Sequence, residues 1–371
     1  MILDQYFSHL KKNDWALLAA VFLLIAFGLS AIYSVALGQG LGEFINFKKQ
    51  LVWLVVGVFL MFFISSVNYH YWRRWAWLGY FLGLILLVLV LTPLGSTIRG
   101  SQGWFSLGIF SFQPVEFMKI FLIIVLADVY SRYARTINKF LQLVLIGLLV
   151  VLPLGLVMLQ PDFGSAMVIF FVWLLSSLLL IRKKWHLAVI IILILASFLV
   201  SWNFVFQDYQ KDRIITFVNP AADPLGSGYN VRQSIIAVGA GRLLGRGLGF
   251  GSQSQLKFIP ESQTDFIFAV IAEELGLVGV LLVLVFFFLI FYRVYLVATR
   301  APDDFGMFLA LLILIVIFVH VFINIGMGLG LMPVTGISLP LVSYGGSFLI
   351  VTLFFIGLVL NIYKSALVFR R

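Results

Sequence analysis

The sequence contains no cysteine, which excludes disulfide bonds and thiol chemistry. Charged residues are also scarce: they make up 11% of the 371 residues, whereas hydrophobic residues make up 62%. This balance is far from that of a soluble domain, in which about a quarter of the residues are charged. The composition therefore indicates a protein of the lipid bilayer.

Long apolar runs occur along the whole chain, and a helix of about 20 apolar residues spans the hydrocarbon core of a membrane. We predict an all-α polytopic membrane protein with residues 1–371 as a single integral membrane domain. The sequence offers about ten such transmembrane runs: Trp15–Val35, Gln50–Val67, Trp75–Leu94, Pro114–Tyr130, Phe140–Met158, Gly164–Ile181, Trp185–Asn203, Phe266–Tyr292, Phe305–Leu329 and Tyr344–Tyr363.

Most basic residues fall at the termini and at alternate connections between these runs, and the intervening short connections hold only Lys48, Lys49 and Arg99. Basic residues accumulate on the cytoplasmic side of membrane proteins. Both termini are therefore predicted to be cytoplasmic, and residues 204–265, between the seventh and eighth helices, form a large extracytoplasmic loop. The net charge of +10 follows from this topology, so we expect no nucleic-acid partner.

This long connection is polar and rich in glycine, and loops of such length are commonly functional. Its Gly245-Arg246-Gly247-Leu248-Gly249 stretch follows no strand, and no Gly-Lys-Ser/Thr follows it. The connection is therefore not a nucleotide-binding loop.

Asp265 is the residue around which we expect the site to form, because it ends the polar connection and precedes a long apolar helix. A helix dipole favours a negative charge at that end, which suits a general base that takes a proton from a hydroxyl. Alternatively, Ser262 and Asp265 have the spacing of a capping box. The residues alone leave both interpretations open. Farther along this helix, Glu273 and Glu274 are expected about 12 Å from Asp265, inside the hydrocarbon layer.

Other polar residues are predicted to lie on the same outer face, and charges within membrane spans often mark a pathway or site. Glu116 and Lys119 lie three residues apart on one helix and can pair, either as part of a site or as a structural ion pair. Asp162 either contributes to the site or caps the sixth helix. The candidate substrate-binding residues are Arg99, Gln102, Trp104, Glu116, Lys119, Asp162, Arg232, Gln233, Ser234, Lys257, Glu261, Thr264, Ser343 and Tyr344.

The cations Arg99, Lys119, Arg232 and Lys257 are suited to a phosphate-bearing ligand, and the apolar helices to its lipid tail. His320 and Asn324 share a helix face, and we expect them to form interhelical hydrogen bonds. The residues alone predict a membrane protein that acts on an amphiphilic anion at the outer face of the membrane.

Three segments closely resemble the SEDS family (shape, elongation, division and sporulation), and the similarity covers nearly the whole chain. The segments are Gln160-Pro161-Asp162-Phe163-Gly164, residues 258–276 with Thr264-Asp265-Phe266 and Glu273-Glu274-Leu275-Gly276, and residues 340–347 with Ser343-Tyr344-Gly345-Gly346-Ser347. The compact length resembles the RodA branch more than the FtsW or sporulation branches.

This resemblance implies a peptidoglycan glycosyltransferase of the bacterial inner membrane that polymerises lipid II during cell elongation. Asp265 matches the essential aspartate of the family and would be the general base, and undecaprenyl pyrophosphate would be the leaving group. The resemblance also implies a divalent cation, Mg or Mn, although no metal-ligand spacing is readable. Implied partners are a class B penicillin-binding protein transpeptidase, other membrane proteins of the elongation complex, and membrane lipids.

Two other functions remain compatible with these residues. A flippase for the same lipid would use Glu116, Lys119, Glu273 and Glu274 as a polar path across the bilayer. However, inverted-repeat transporters often show paired Gly- or Pro-broken spans, and none is found here. A noncatalytic scaffold that recruits the transpeptidase would not need the Asp265 carboxylate.

Overall fold

The computed structural model describes residues 13–39, 41–98, 100–108, 110–133, 139–178, 206–219 and 226–369, together with positions 188, 192, 199, 202, 203 and 223. The structure is almost entirely helical, as the composition predicts. In chain order the elements are α1 (Trp15–Gln39), α2 (Leu41–Ser66), α3 (Tyr69–Leu89), β1 (Ser96–Ile98), β2 (Ser101–Leu107), β3 (Phe110–Phe112), α4 (Pro114–Tyr133), α5 (Lys139–Leu159), α6 (Phe163–Leu178), α7 (Asp208–Val218), α8 (Ser227–Ala240), α9 (Ser252–Gln255), α10 (Ile267–Thr299), α11 (Asp304–Gly328) and α12 (Gly346–Phe369).

Nine of the ten predicted membrane runs coincide with helices of this structure. The seventh, Trp185–Asn203, lies mostly outside the described residues. Among the described helices, α1, α2, α3, α10, α11 and α12 are long and apolar enough to cross a membrane. The apolar parts of α5 and α6 are shorter, and α4 carries the charged residues Glu116, Lys119, Asp128 and Arg132. Several apolar helices of this kind make the chain a multi-pass membrane protein.

The helices pack around a shared apolar core rather than in sequence order. α2 packs along α12, α3 along α4, and α10 along both α1 and α11, while α11 also contacts α4. Most of α11 and α12 is buried. α11 contacts α4, α8, α10 and α12. It therefore lies at the centre of the bundle.

A small antiparallel sheet, which the sequence analysis did not predict, joins α3 to α4. β2 pairs with β1 and β3, and Phe105 lies opposite Phe112 in the second ladder. Ser101 Oγ donates a hydrogen bond of 2.8 Å to the carbonyl of Gln160, just before α6. The sheet is thereby fixed next to the start of α6, with Trp104 in its middle strand.

Polar side chains join neighbouring helices at the end of the bundle that lies far from Asp265. Arg293 Nη2 of α10 lies 2.7 Å from Asp14 Oδ2, directly before α1. Asp303 accepts hydrogen bonds from the Tyr69 hydroxyl at 2.7 Å and from the backbone N–H of Gly306, so it caps α11 and ties it to α3. These bonds lie at the helix ends far from Asp265, on the side that the sequence predicts to be cytoplasmic.

Candidate active site

A cavity of about 360 Å³ lies between the sheet, α4, the start of α6, α11 and the segment before α12. Its size falls within the range of small-molecule sites. It is lined by Lys49, Trp53, Ile98, Ser101, Trp104, Ser111, Gln113, Glu116, Lys119, residues 161–163, Ser165, Arg213, Thr264, Asp265, His320, residues 335–338 and residues 344–348. Carboxylates, cations and aromatic rings therefore share one space.

Asp265 lies in this lining and is 8% exposed. It belongs to a turn in which the backbone N–H groups of Thr264, Asp265 and Phe266 all donate to the carbonyl of Glu261. α10 begins afterwards, with Phe266 as its N-cap and no side-chain cap hydrogen bond. Ser262 and Asp265 therefore lie in the turn before the helix, and Ser262 is not the N-cap of α10. The Asp265 carboxylate borders the cavity beside Gly336. A Cβ atom added to Gly336 would lie 3.6 Å from Asp265 Oδ2.

Buried side chains hold the backbone on both sides of this carboxylate. Asn324 Nδ2 donates to the carbonyl of Asp265 at 2.9 Å and to that of Ile337 at 2.7 Å. The Ser343 hydroxyl donates to the carbonyl of Thr264, and the Tyr344 N–H donates to that of Gln263. Asn324 was predicted to form interhelical hydrogen bonds, but its acceptors lie in the turn before α10 and in the segment before α12. Two separate parts of the chain, α11 and the segment before α12, thus fix the position of Asp265.

Glu116 and Lys119 form the ion pair that their spacing predicts. Lys119 Nζ lies 2.6 Å from Glu116 Oε1, and both residues are buried. Lys119 Nζ also lies 3.4 Å from His320 Nε2 and 5.7 Å from the centre of the Phe348 ring. Glu116 Oε2 is buried without a hydrogen-bond partner among the described residues. The ammonium group is therefore held inside the cavity by a carboxylate, an imidazole and an aromatic face.

Asp162 caps α6, which is one of its two predicted interpretations, and it also lines the cavity. Its Oδ1 accepts a hydrogen bond of 2.9 Å from the backbone N–H of Ser165, which caps α6. Its Oδ2 accepts one of 3.2 Å from Gln113 Nε2. Because Asp162 and Gln113 both line the cavity, this pair joins the start of α6 to the start of α4 at its wall.

The structure brings together about half of the predicted binding residues. Trp104, Glu116, Lys119, Asp162, Thr264 and Tyr344 line the cavity with Asp265. Ser343 lies behind it and supports Thr264. Arg99 lies outside the described residues.

The remaining candidates are placed elsewhere by their local contacts. Gln102 Nε2 donates to the carbonyl of Thr92, and the buried Ser234 hydroxyl donates to that of Gly328, which ties α8 to the end of α11. Arg232, Lys257 and Glu261 are exposed, and Gln233 is half-buried. None of these residues lines the cavity, so their grouping with Asp265 in the sequence analysis is not supported by their position.

Lys49, Arg213 and His320 also line the cavity, although none of them was predicted as a site residue. Lys49 was counted only as a residue of an outer connection, and His320 only as a helix-packing residue. The one available signal was that Lys49 is a cation on the side with few basic residues. Arg213 gave no signal, because its helix, α7, lies within the long connection.

Among the described residues, no three His, Asp or Glu side chains converge closely enough to hold a metal ion by themselves. Magnesium is often bound by only one or two carboxylates together with the phosphates of a substrate. The donor set of the cavity fits that second arrangement, in which Asp162 or Glu116 would supply a single protein ligand.

Comparison with known proteins supports the resemblance seen in the motifs. The chain is 38% identical over 368 residues to the peptidoglycan glycosyltransferase MrdB of Escherichia coli, with 95% of this chain and 96% of that protein covered. It is 39% identical over 357 residues to stage V sporulation protein E of Bacillus subtilis, with 94% and 96% covered.

Solved structures show the same architecture. A structure of a peptidoglycan synthase complex that coordinates polymerisation and crosslinking superposes with a TM-score of 0.78 at 31% identity, covering 95% of this chain and 98% of that one. The RodA crystal structure from Thermus thermophilus gives a TM-score of 0.70 at 28% identity, covering 95% and 97%. The FtsW/RodA/SpoVE profile, described as a cell cycle protein, matches residues 14–367. The chain therefore belongs to the FtsW/RodA/SpoVE family, the SEDS family whose motifs it carries.

Proposed function

We propose that this chain, a peptidoglycan glycosyltransferase of the bacterial inner membrane, polymerises lipid II with Asp265 as the general base. One observation carries the proposal. Asp265 is a buried carboxylate that lies before the N-cap of α10, borders a cavity containing cations, and belongs to a turn whose backbone is held by α11 and by the segment before α12. A carboxylate held in this way is suited to a reaction, because its position is set before the substrate arrives.

In the proposed reaction, the 4-hydroxyl oxygen of the acceptor GlcNAc attacks the anomeric carbon of the donor MurNAc. The new glycosidic C–O bond forms as the bond between that carbon and the pyrophosphate oxygen breaks. The hydroxyl proton passes to the Asp265 carboxylate, and undecaprenyl pyrophosphate leaves with the bonding electron pair. General-base assistance of this kind contributes about 10²- to 10⁴-fold in rate.

The cations of the cavity are assigned to the leaving group. Negative charge develops on the pyrophosphate in the transition state, and fixed positive charge stabilises it best where water is excluded. Lys119 is buried and held in place by Glu116 and His320, and Lys49 and Arg213 line the same space. Trp104, Trp53 and Phe348 offer apolar faces there for sugar rings or the first part of the lipid tail.

We propose that a divalent cation, Mg or Mn, would be held by Asp162 or Glu116 when the substrate is bound. When bound, it would supply additional positive charge to the leaving group. The test is direct binding: Mn²⁺ should bind the protein measurably more tightly in the presence of lipid II than in its absence.

A class B penicillin-binding protein transpeptidase is the proposed partner, together with other membrane proteins of the elongation complex. The support is the similarity to a synthase complex that coordinates polymerisation and crosslinking. Lipid II and the surrounding membrane lipids complete the set of proposed ligands.

The experiment measures glycan polymerisation from lipid II and lipid II flipping in vesicles, both for the full chain mixed with its transpeptidase. Asp265→Asn is compared with Asp212→Asn, the same change at an exposed carboxylate of α7 outside the cavity lining. We expect glycan strands from the wild type and Asp212→Asn, and none from Asp265→Asn. Equal polymer from all three would remove Asp265 from the chemistry. Flipping without polymer in the wild type would support the transporter alternative, and neither activity would support the scaffold.

A further inference from the structure

The glycine-rich loop, residues 241–250, is docked tightly against α10 near a break in that helix. The backbone N–H groups of Arg246 and Gly247 donate to the carbonyls of Glu273 and Glu274. In the other direction, Leu277 and Val278 donate to Arg242 and Leu243.

The break lies at Gly276, which has φ 64° and ψ −162° and interrupts the helical dihedral angles of α10. Residues on both sides of the break thus exchange hydrogen bonds with the loop. Four backbone hydrogen bonds therefore join the loop to this part of α10.

The carboxylates of α10 bind the chain that follows the loop. Glu273 Oε1 accepts from the Gln253 N–H at 2.9 Å and Oε2 from the Ser254 N–H at 3.1 Å. Ser34 of α1 donates to Glu274 Oε1 at 2.6 Å and accepts from the Gly249 N–H at 2.8 Å. These contacts hold both oxygens of Glu273 and one oxygen of Glu274, and neither residue lines the cavity.

The depth of this loop in the membrane can be worked out from residue spacing along two helices, α1 and α10. The Arg293–Asp14 ion pair marks one end of the apolar layer, and no charged residue occurs in 15–39 or 275–292. At about 1.5 Å per residue, Ser34 lies about 30 Å from Asp14 along α1, and Gly276 about 26 Å from Arg293 along α10. Since the hydrocarbon core is about 30 Å thick, the loop lies at its opposite boundary, in the leaflet next to the cavity.

The loop exposes large apolar side chains at this boundary. Leu243 is 66%, Leu244 81% and Phe250 77% exposed. Arg242 and Arg246 are exposed beside them. Apolar tips next to arginines fit a lipid surface, where the tips enter the acyl layer and the guanidinium groups contact headgroup phosphates.

We infer that the glycine-rich loop inserts into the leaflet next to the cavity and anchors the start of α10 at a fixed height in the membrane. The occupant of this apolar surface is therefore phospholipid. The loop joins the same helix that Asp265 precedes, so the anchor also sets the height of the cavity relative to the acyl chains.

The lack of native cysteine allows a direct test by site-directed spin labelling of the full chain. Leu244→Cys and Phe250→Cys are labelled with a nitroxide in vesicles of phosphatidylethanolamine and phosphatidylglycerol. Collision rates with oxygen, which concentrates in the acyl layer, and with a water-soluble nickel chelate are compared. Leu281→Cys, on the exposed face of α10, is the lipid reference, and Asp212→Cys on α7 is the aqueous reference.

We expect the labels at positions 244 and 250 to be accessible to oxygen and protected from the nickel chelate, as at position 281. Labels at both positions with the water accessibility of position 212 would overturn the inference. Such a result would leave the surface free for a protein partner instead of lipid.

Discussion

The side-chain amide of Asn324 donates a hydrogen bond of 2.9 Å to the backbone carbonyl of Asp265, and a second one to Ile337 on the facing segment. Asn324 is fully buried in α11. A helix at the centre of the bundle thus fixes the backbone of the proposed base, although Asn324 does not itself line the cavity.

Replacing Asn324 by Ala is expected to lower the polymerisation rate with little change in KM, because the base moves while the binding walls remain. Two buried carbonyls also lose their donor, which costs about 1–3 kcal/mol. Asn361→Ala is the matched control, since Asn361 is a buried amide that donates to the Ser65 carbonyl at the opposite helix ends. It should lower the unfolding temperature similarly and leave the turnover of the folded protein unchanged. Equal turnover in both variants would contradict the positioning role of Asn324.

The Glu116–Lys119 pair allows stability and chemistry to be separated. Removing one partner of a buried pair leaves an uncompensated charge and costs about 3–5 kcal/mol, whereas replacing both avoids this penalty. We expect Glu116→Gln to lower the unfolding temperature strongly, and Glu116→Leu with Lys119→Met to recover most of it. Polymerisation should remain absent in the double variant, because the cation facing the leaving group is gone. An active double variant would show that the pair is structural only.

Gly276→Ala is expected to destabilise the protein, since φ 64° with ψ −162° is a conformation reserved almost entirely for glycine. Such strain costs about 1–3 kcal/mol. A side chain there would also overlap the backbone of Gly245 and Leu243. Gly239→Ala is the control, because Gly239 lies in α8 and a methyl group there would enter open space. Thermal unfolding in detergent should show a loss only for Gly276→Ala, and equal unfolding temperatures would argue against the docked break.

Asp303 lies at the end of the bundle far from the cavity. Its hydrogen bonds lead us to expect that the fold loses stability in acid. Burial alone would raise the pKa of Asp303, but hydrogen bonds from Tyr69, the Gly306 N–H and His70 outweigh it, so the pKa lies below its usual range. A lowered pKa stabilises the fold above the ordinary aspartate value of about 3.9, and this contribution disappears as the pH falls through the lower folded value.

Asp303→Asn keeps an N-cap residue for α11 but removes the charge. We expect it to be less stable than the wild type by about 1–2 kcal/mol at pH 7, with the two unfolding temperatures converging as the pH falls below about 4. A difference that is constant between pH 7 and pH 3 would rule out a contribution from the ionised carboxylate.

The membrane helices were predictable because apolar runs of the required length are nearly sufficient to define them. Trp15–Val35 and Phe305–Leu329, for example, match α1 and α11 closely. The motifs also predicted the site around Asp265, Thr264 and Tyr344, because these residues lie in two segments that the resemblance singled out. The Glu116–Lys119 pair followed from helical spacing alone.

Other features depend on contacts between distant parts of the chain and were not readable. Lys49, Arg213 and His320 reach the cavity from three separate elements, and no local pattern brings them together. Conversely, Arg232 and Lys257 were grouped with Asp265 because they share its connection, although a polar connection of that length has several surfaces. Glu273 and Glu274 were predicted to lie inside the hydrocarbon layer. Their hydrogen-bond partners became apparent only from the structure.

The central claim is that Asp265 accepts a proton during glycosyl transfer and is not needed to bind the substrate. The most direct measurement determines lipid II affinity and polymerisation turnover on one preparation of Asp265→Asn and on the wild type. The account predicts wild-type affinity with turnover reduced by about 100-fold or more, because the amide fills the same space but cannot take the proton. Turnover near the wild-type rate, or a loss of activity explained entirely by weaker lipid II binding, would contradict it.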